Sequence, residues 1–394
     1  MTQDTIFALS TTYGKSGTAL IRVSGPQALQ SLSVLTGLSS GAIKPRQAKL
    51  CKIYEIFGGD GDPVSRETCD VIDHAVVLFF KAPHSFTGED VAEYHLHGSP
   101  AVIQALIDVL STHESHRLAE PGEFTRRGFE NQKFDLTEAE AIADLIDAET
   151  KLQKNQALSQ LEGGLSKLYM SWHDRLLHSS AYVEADIDFA DEDLPDGIAT
   201  QTFPVLRAVL SEIEHHLNDN RRGERLRDGV KIAIVGAPNV GKSSLINALA
   251  KRDVAIVSAH AGTTRDIIEV NLDLGGIPVV VSDTAGLRPD QLGETEQDEI
   301  ESEGIRRALD RAQKSDLRIL VFDASALPGL CEHTQALIDR DSLVVFNKCD
   351  LYEGALPFDD ATGLSIETKA GFDDLLQKLE GKARQLIGSS ETPT

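Results

Sequence analysis

A multidomain α/β architecture is predicted by three features of the sequence. Its length of 394 residues exceeds an ordinary single domain. Its texture changes near residues 121 and 229. From Val230 onward, strand, glycine loop and helix alternate, the pattern of a mostly parallel sheet with helices on both faces. The division expected is an N-terminal α+β domain over 1–120, a helical domain over 121–228, the α/β domain over 229–385 and a disordered tail over 386–394.

In the first segment, the short β-like runs TIFALS, GTALIRVSG, AVVLFFKAP and VAEYHLHG surround one helical stretch, PAVIQALIDVLSTH. From 121, apolar residues recur at helical spacing from Leu136 to Ile187, and Gly163-Gly164 is the only internal breaker, so long helices are expected. A second helical piece, PVLRAVLSEIEHHLNDNRRGERLRD, follows the acidic loop DFADEDLPDG. The composition, with 41% hydrophobic and 25% charged residues, supports packed cores and argues against global disorder. No apolar run reaches the ~18 residues of a membrane span and the start lacks a signal-peptide layout, so a cytoplasmic protein without a membrane role is expected. Four scattered cysteines form no Cys-x-x-Cys pair, which points to reduced thiols. His95-x-His97 is a pair without a third ligand and is read as structural. The net charge of −24 repels polyanions, so any RNA contact must use local patches or a partner.

The chemistry is concentrated in the last segment. The strand VKIAIV runs into Gly236-Ala237-Pro238-Asn239-Val240-Gly241-Lys242-Ser243, a G-x-x-x-x-G-K-S phosphate loop, followed by the helical Ser244-Leu-Ile-Asn-Ala-Leu-Ala. Backbone N–H groups can close around phosphate oxygens there, the helix points its positive end at them, and Lys242 adds charge at the β/γ-phosphates. Ser243 is the expected Mg²⁺ ligand. The earlier Gly14-Lys15-Ser16 has Leu9 where the first glycine belongs and forms no such loop. Downstream, IPVVVSDTAG ends a strand at Asp283, with Thr284, Ala285 and Gly286 following. Asp283 suits the Mg²⁺ water shell, and the Gly286 N–H suits a γ-phosphate sensor. Between the two motifs lies Ser258-Ala259-His260-Ala261-Gly262-Thr263-Thr264-Arg265-Asp266, in the place of a switch loop, with Thr264 a second Mg²⁺ ligand candidate. Asn347-Lys348-Cys349-Asp350 follows the apolar strand SLVVF, and its carboxylate can accept from guanine N1–H and the exocyclic amine, a donor pair adenine lacks. A P-loop GTPase domain of the Ras-like kind is therefore expected, yet Leu287 stands where Ras-like enzymes carry the water-orienting glutamine.

Across nearly its whole length the sequence resembles the tRNA modification GTPase family MnmE, also called TrmE. The residues that carry the likeness are Ser85-Phe86-Thr87-Gly88-Glu89-Asp90, Pro121-Gly122-Glu123-Phe124-Thr125, Leu136-Thr137-Glu138-Ala139-Glu140-Ala141, Pro238 to Ser243, Gly262 to Asp266 and Asp283 to Arg288. The resemblance implies a K⁺-stimulated GTPase activated by dimerisation, with Asn239, Ser258, His260 and Thr263 as the K⁺ shell and Glu301 orienting water. It implies that Ser365-Ile366-Glu367 forms the base-side loop, where the family commonly has Ser-Ala-Lys or Ser-Ala-Arg. It implies a folate-binding first domain, taking 5-formyltetrahydrofolate or a related one-carbon donor at Arg22, Glu93 and Lys133. It also implies a flavoprotein partner, MnmG (GidA), in a heterotetramer that modifies carbon 5 of the tRNA wobble uridine. The family's chains continue into further helices and end in Cys-x-Gly-Lys, whereas this sequence stops near Gly381-Lys382-Ala383-Arg384 and a short polar tail. Two readings follow: a tRNA-modifying GTPase, or a GTP-controlled folate- and protein-binding switch without the modification chemistry. A ribosome-assembly GTPase fits less well, because no basic tail follows the nucleotide domain. Helices over 137–180 without their usual intrachain partners would expose an apolar face, which favours at least a dimer.

Overall fold

The computed structural model describes residues 4–56, 69–113, 115–188, 198–218, 221–252, 254–255, 269–283 and 312–388. These fall into two compact units, Met1–Ala139 and Glu140–Thr394.

The first unit is built on a six-stranded sheet: β1 (Thr5–Leu9), β2 (Ser16–Ser24), β3 (Lys49–Tyr54), β4 (Val71–Phe80), β5 (Val91–Gly98) and β6 (His116–Leu118). Its spatial order is β3-β4-β5-β2-β1-β6, antiparallel throughout except for the parallel β1–β6 pair. Alternation sorts the side chains. Ala19, Ile21 and Val23 of β2 are buried with Ala92, Tyr94 and Leu96 of β5. Two helices cover that face: α1 (Ala28–Thr36) with Leu32 and Leu35, and α2 (Pro100–Ser111) with Ile103, Leu106, Val109 and Leu110. Pro100 opens α2, where a missing N–H costs nothing. The other set of β2 side chains, which includes Arg22 and Ser24, alternates away from this core.

Helix α1 and the strands β3 and β6 were not read from the sequence. Helix α1 (ALQSLSVLT) has Ser31 and Thr36 among its buried residues, and the Ser31 hydroxyl is satisfied by the Ala28 carbonyl at 3.1 Å. Strand β3 (KLCKIY) turns Cys51 and Ile53 to the core but leaves Leu50 70% exposed on the other side, which breaks the apolar alternation. The compact unit also extends past residue 120. Helix α3 (Glu123–Glu130) ties back through the buried Arg127, whose guanidinium donates to Glu89, Glu123 and the Asp4 carbonyl.

Helix α4 (Leu136–Asp147) starts in the first unit and runs into the second, which continues with α5 (Lys151–Leu161), α6 (Gly164–Asp188), α7 (Ile198–Gln201) and α8 (Phe203–Leu217). The break between α4 and α5 comes from a capping box, in which the Thr150 hydroxyl accepts from Gln153 N while the Gln153 side chain accepts from Thr150 N. Helical periodicity alone does not reveal it, because the apolar residues recur across the break. Helices α6 and α8 pack together, and Trp172 of α6 donates from Nε1 to Glu212 of α8 at 2.9 Å. Tyr182, Ile187, Leu210 and Leu217 on these helices are each more than half exposed.

After α9 (Arg222–Asp228) comes the second sheet: β7 (Val230–Val235), β8 (Glu269–Leu274), β9 (Ile277–Asp283), β10 (Leu317–Asp323), β11 (Ser342–Asn347) and β12 (Thr362–Gly363). Its order is β12-β11-β10-β7-β9-β8, parallel except for the β8–β9 hairpin at Gly275-Gly276. Both faces are buried. Ile232 and Ile234 of β7 join one core with α10 (Lys242–Ala250) and α12 (Phe372–Ile387), while Ala233 and Val235 join a second core with Leu320, Phe322 and Phe346. A short helix, α11 (Glu332–Gln335), lies between β10 and β11. Helix α12 reaches Ile387, so residues 386 and 387, assigned to the tail from sequence, are helical.

Candidate functional site

Strand β7 ends at Val235 and the chain turns through Gly236 to Gly241 into α10. The turn needs left-handed backbone at Asn239 and Gly241, with φ of 61° and 100°. Asparagine tolerates that region and glycine adopts it freely. Close packing excludes a side chain at both glycines. A Cβ on Gly236 would lie 2.4 Å from the Val321 carbonyl oxygen, and one on Gly241 2.3 Å from Asn347 Nδ2. Lys242 Nζ donates to the carbonyls of Gly236 at 2.9 Å and Ala237 at 2.8 Å, so the loop is drawn around its own ammonium. Leu245, Ile246 and Leu249 anchor α10 in the core, leaving Ser243 and Ser244 exposed on its first turn, at the positive end of the helix. Asn239 is exposed at the loop tip and Val240 is buried beneath it.

The base side is fastened to this loop. Asn347 closes β11, is 3% exposed, and donates from Nδ2 to the Val240 carbonyl at 2.8 Å. Its Oδ1 is buried with no hydrogen-bond partner among the described residues, an acceptor that favours a donor from a ligand. Lys348 has a left-handed φ of 63°, and its ammonium lies 2.6 Å from Asp323 Oδ2 at the end of β10. Burial pushes the Asp323 carboxyl up, but hydrogen bonds from Lys348 and Ser325 outweigh it and hold the group below the usual range. Asp350 is exposed in the 3-10 turn Cys349–Leu351. Ser365 is buried: its N–H donates to the Ala370 carbonyl at 3.1 Å and its Oγ accepts from Thr368 N at 3.2 Å. That turn presents Ile366, half-buried, and Glu367, exposed. Leu364 links it to β11, donating to the Phe346 carbonyl and accepting from Cys349 N. The fold therefore assembles Asn239 to Ser244, Asn347 to Asp350 and Ser365 to Glu367 around one end of the parallel strands, where open α/β sheets bind ligands.

Ser258, Ala259, His260, Ala261, Gly262, Thr263, Thr264, Thr284, Ala285, Gly286 and Glu301 lie outside the described residues. Asp283 is placed as the last residue of β9, whose parallel neighbour β7 leads into the phosphate loop.

In the first unit, Arg22 and Glu93 face each other across the β2–β5 pair. The guanidinium donates from Nε and Nη2 to Glu93 Oε1 at 3.0 and 2.8 Å, and it lies over the Phe86 and Phe124 rings at 5.4 and 5.8 Å. Both side chains are mostly buried, with 23% of Arg22 and 12% of Glu93 exposed. Lys133 has a separate partner, donating from Nζ to the Pro83 carbonyl at 2.8 Å. His97 is held by Asp73 at 2.8 Å, and His95 Nε2 is 3.5 Å from Glu93. Sequence reasoning passed over Asp323, although RILVFD ends an apolar strand on aspartate just as IPVVVSD does. It also passed over the Glu89–Arg127–Glu123 network, because spacing along the chain gives no sign that these charges meet.

Known proteins match the chain along nearly its whole length. A family profile described as "GTP-binding protein TrmE N-terminus" matches residues 5–133, and one described as "MnmE helical domain" matches residues 136–393. Curated proteins named tRNA modification GTPase MnmE are 51% identical in Paramagnetospirillum magneticum, 49% in Parvibaculum lavamentivorans and 46% in Rickettsia akari. Each alignment covers 99% of this chain and, respectively, 86%, 84% and 85% of the relative. Among solved structures, the G domain of the Thermotoga maritima FeoB iron transporter is 22% identical, with a TM-score of 0.28, over 40% of this chain and 99% of that one. On the strength of the two profiles and the curated relatives, the chain belongs to the tRNA modification GTPase MnmE (TrmE) family.

Proposed function

We propose that the protein is a K⁺-stimulated GTP hydrolase that takes part in modifying carbon 5 of the tRNA wobble uridine. The observation that carries the nucleotide reading is the bond from Asn347 Nδ2 to the Val240 carbonyl, which joins the base-reading loop to the phosphate loop. The phosphate loop and α10 would hold the triphosphate, and Asp350 would accept from the guanine edge. Mg²⁺, which would neutralise developing phosphate charge, fits the exposed Ser243 hydroxyl, with Thr264 and Asp283 assigned to the same ion. The exposed Asn239 at the loop tip suits K⁺, for which Ser258, His260 and Thr263 are the further ligands proposed, and Glu301 would orient the attacking water.

In the same reading the N-terminal domain, within the unit Met1–Ala139, takes a 5-formyltetrahydrofolate-type donor at Arg22, Glu93 and Lys133. Since Arg22 and Glu93 already pair, the ligand would share that pair, its pterin donors on Glu93 and a glutamyl carboxylate on Lys133 or Arg22. The helical domain, 121–228, and the GTPase domain, 229–385, would act in a cytoplasmic homodimer joined by the flavoprotein MnmG on tRNA. The curated relatives' names, tRNA modification GTPase, support the tRNA role.

Two measurements test this. Mass spectrometry of wobble-uridine nucleosides from cells lacking the protein should show loss of the modified base; unchanged nucleosides would leave only the GTP-controlled switch. GTP turnover should be at least several-fold faster in KCl than in NaCl at equal ionic strength, and equal rates would remove the K⁺ assignment.

A further inference from the structure

We propose that Asp323 is a positioning residue for the guanine side of the site, pinning Lys348 so that this lysine is ordered before the base arrives. The inference rests on the nucleotide reading and adds to it a residue outside the motifs. Asp323 and Asn347 are in register at the ends of the parallel strands β10 and β11, which brings the next residue, Lys348, within reach of the Asp323 carboxylate. The two carboxylate oxygens have separate tasks. Oδ1 accepts from Ser325 N at 3.0 Å and Ser325 Oγ at 2.6 Å, and Oδ2 accepts from Lys348 Nζ at 2.6 Å. The turn at Ala324–Ala326 therefore fixes the direction of the carboxylate, and the lysine follows it.

Lys348 sits between two groups that face the nucleotide, Asn347 on the phosphate loop and Asp350 at the guanine edge. A lysine free to sample its rotamers would lose that freedom when a base packs on its four-carbon stem, and affinity would fall accordingly. With the ammonium held at Asp323, which is 19% exposed, the stem is ordered in the free protein. An ordinary surface ion pair would contribute little, so the effect on binding separates the two accounts.

The test uses the full chain and a fluorescent GDP analogue, with the unfolding midpoint measured for every variant. Asp323→Asn keeps an acceptor for Ser325 and removes the charge facing Lys348. It should raise the GDP Kd by about tenfold, chiefly through faster dissociation, with the nucleotide-free unfolding midpoint unchanged. Lys348→Met keeps an apolar stem of similar length without the ammonium. It should weaken binding to a similar extent, and adding Asp323→Asn to it should cost nothing further. If the wild-type chain fails to bind GDP, the nucleotide reading itself falls. If it binds and Asp323→Asn binds equally well, or if the two effects add, the positioning role falls and Asp323 merely closes its turn. The Lys348→Met arm holds even if Asp323→Asn does not fold: unweakened GDP binding by that variant would overturn the proposal.

Discussion

Arg127 shows how a single buried charge can organise a domain. Its guanidinium bonds Glu89 at 3.2 Å, Glu123 at 3.0 Å and the Asp4 carbonyl at 2.9 Å, and Glu89 in turn accepts from Ser24 at 2.7 Å. Each member is satisfied, so the network can stay inside, but no member can leave without stranding the others. Replacing Arg127 by Met should therefore destabilise the first unit by about 3–5 kcal/mol, read as a lower unfolding midpoint with GDP affinity unchanged. A shift within error would mean that water satisfies the carboxylates. The same cluster gives a pH dependence. Hydrogen bonds from Arg117, foremost, hold the Glu123 carboxyl down at about 2, against an ordinary value of 4.5. A depressed acid contributes stability above its unfolded pKa and loses it as pH falls through the folded one, so stability should drop between about 4.5 and about 2. His116 acts in the same direction at milder acidity. Burial, then the neighbouring His113, lowers its pKa from 6.5 to about 4, so the unfolded chain binds a proton first on acidification. Nothing in the sequence announces this network, since Arg127 and Glu89 are 38 positions apart and only the fold brings them together.

Among the elements, the phosphate loop was the most legible and the helical segment the least. Gly-x-x-x-x-Gly-Lys-Ser between an apolar strand and a helix specifies its geometry, because few residues tolerate the backbone it needs. Gly241 illustrates this with φ of 100° and no room for a Cβ beside Asn347. Gly241→Ala should combine backbone strain of about 1–3 kcal/mol with displacement of Asn347, weakening GDP binding by about ten- to hundredfold. Affinity like that of the wild type would show that the loop is remodelled on binding. The Ser365 turn, by contrast, takes its form from Ala370, Thr368 and Leu364, contacts with no recognisable motif. In the helical segment, periodicity predicts helix from Leu136 to Ile187 but not the Thr150 capping box that divides it. Helix α1 escaped detection because Ser31 occupies a buried position where an apolar residue is expected, and its own helix satisfies the hydroxyl.

At the scale of the whole molecule, one chain carries two sheets of different logic. The first is mainly antiparallel and covered on one face by α1 and α2, while the second is mainly parallel and buried on both faces. The succession of strand, glycine loop and helix predicted the parallel sheet, whereas the antiparallel pairing of the first was not read beyond an α+β domain. The net charge of −24 gives no purchase to polyanions, so recognition of a nucleotide must come from local geometry rather than from overall charge. That geometry is the joint between the phosphate loop and the base loop at Asn347 and Val240, and it makes guanine selectivity the central claim. Isothermal calorimetry of the full chain in Mg²⁺ buffer with GTP and with ATP tests it most directly. GTP should bind at one site, with ATP weaker by at least about a hundredfold, since adenine leaves the Asp350 carboxylate without its donors. Equal heats and affinities for the two nucleotides, or no binding of either, would contradict it.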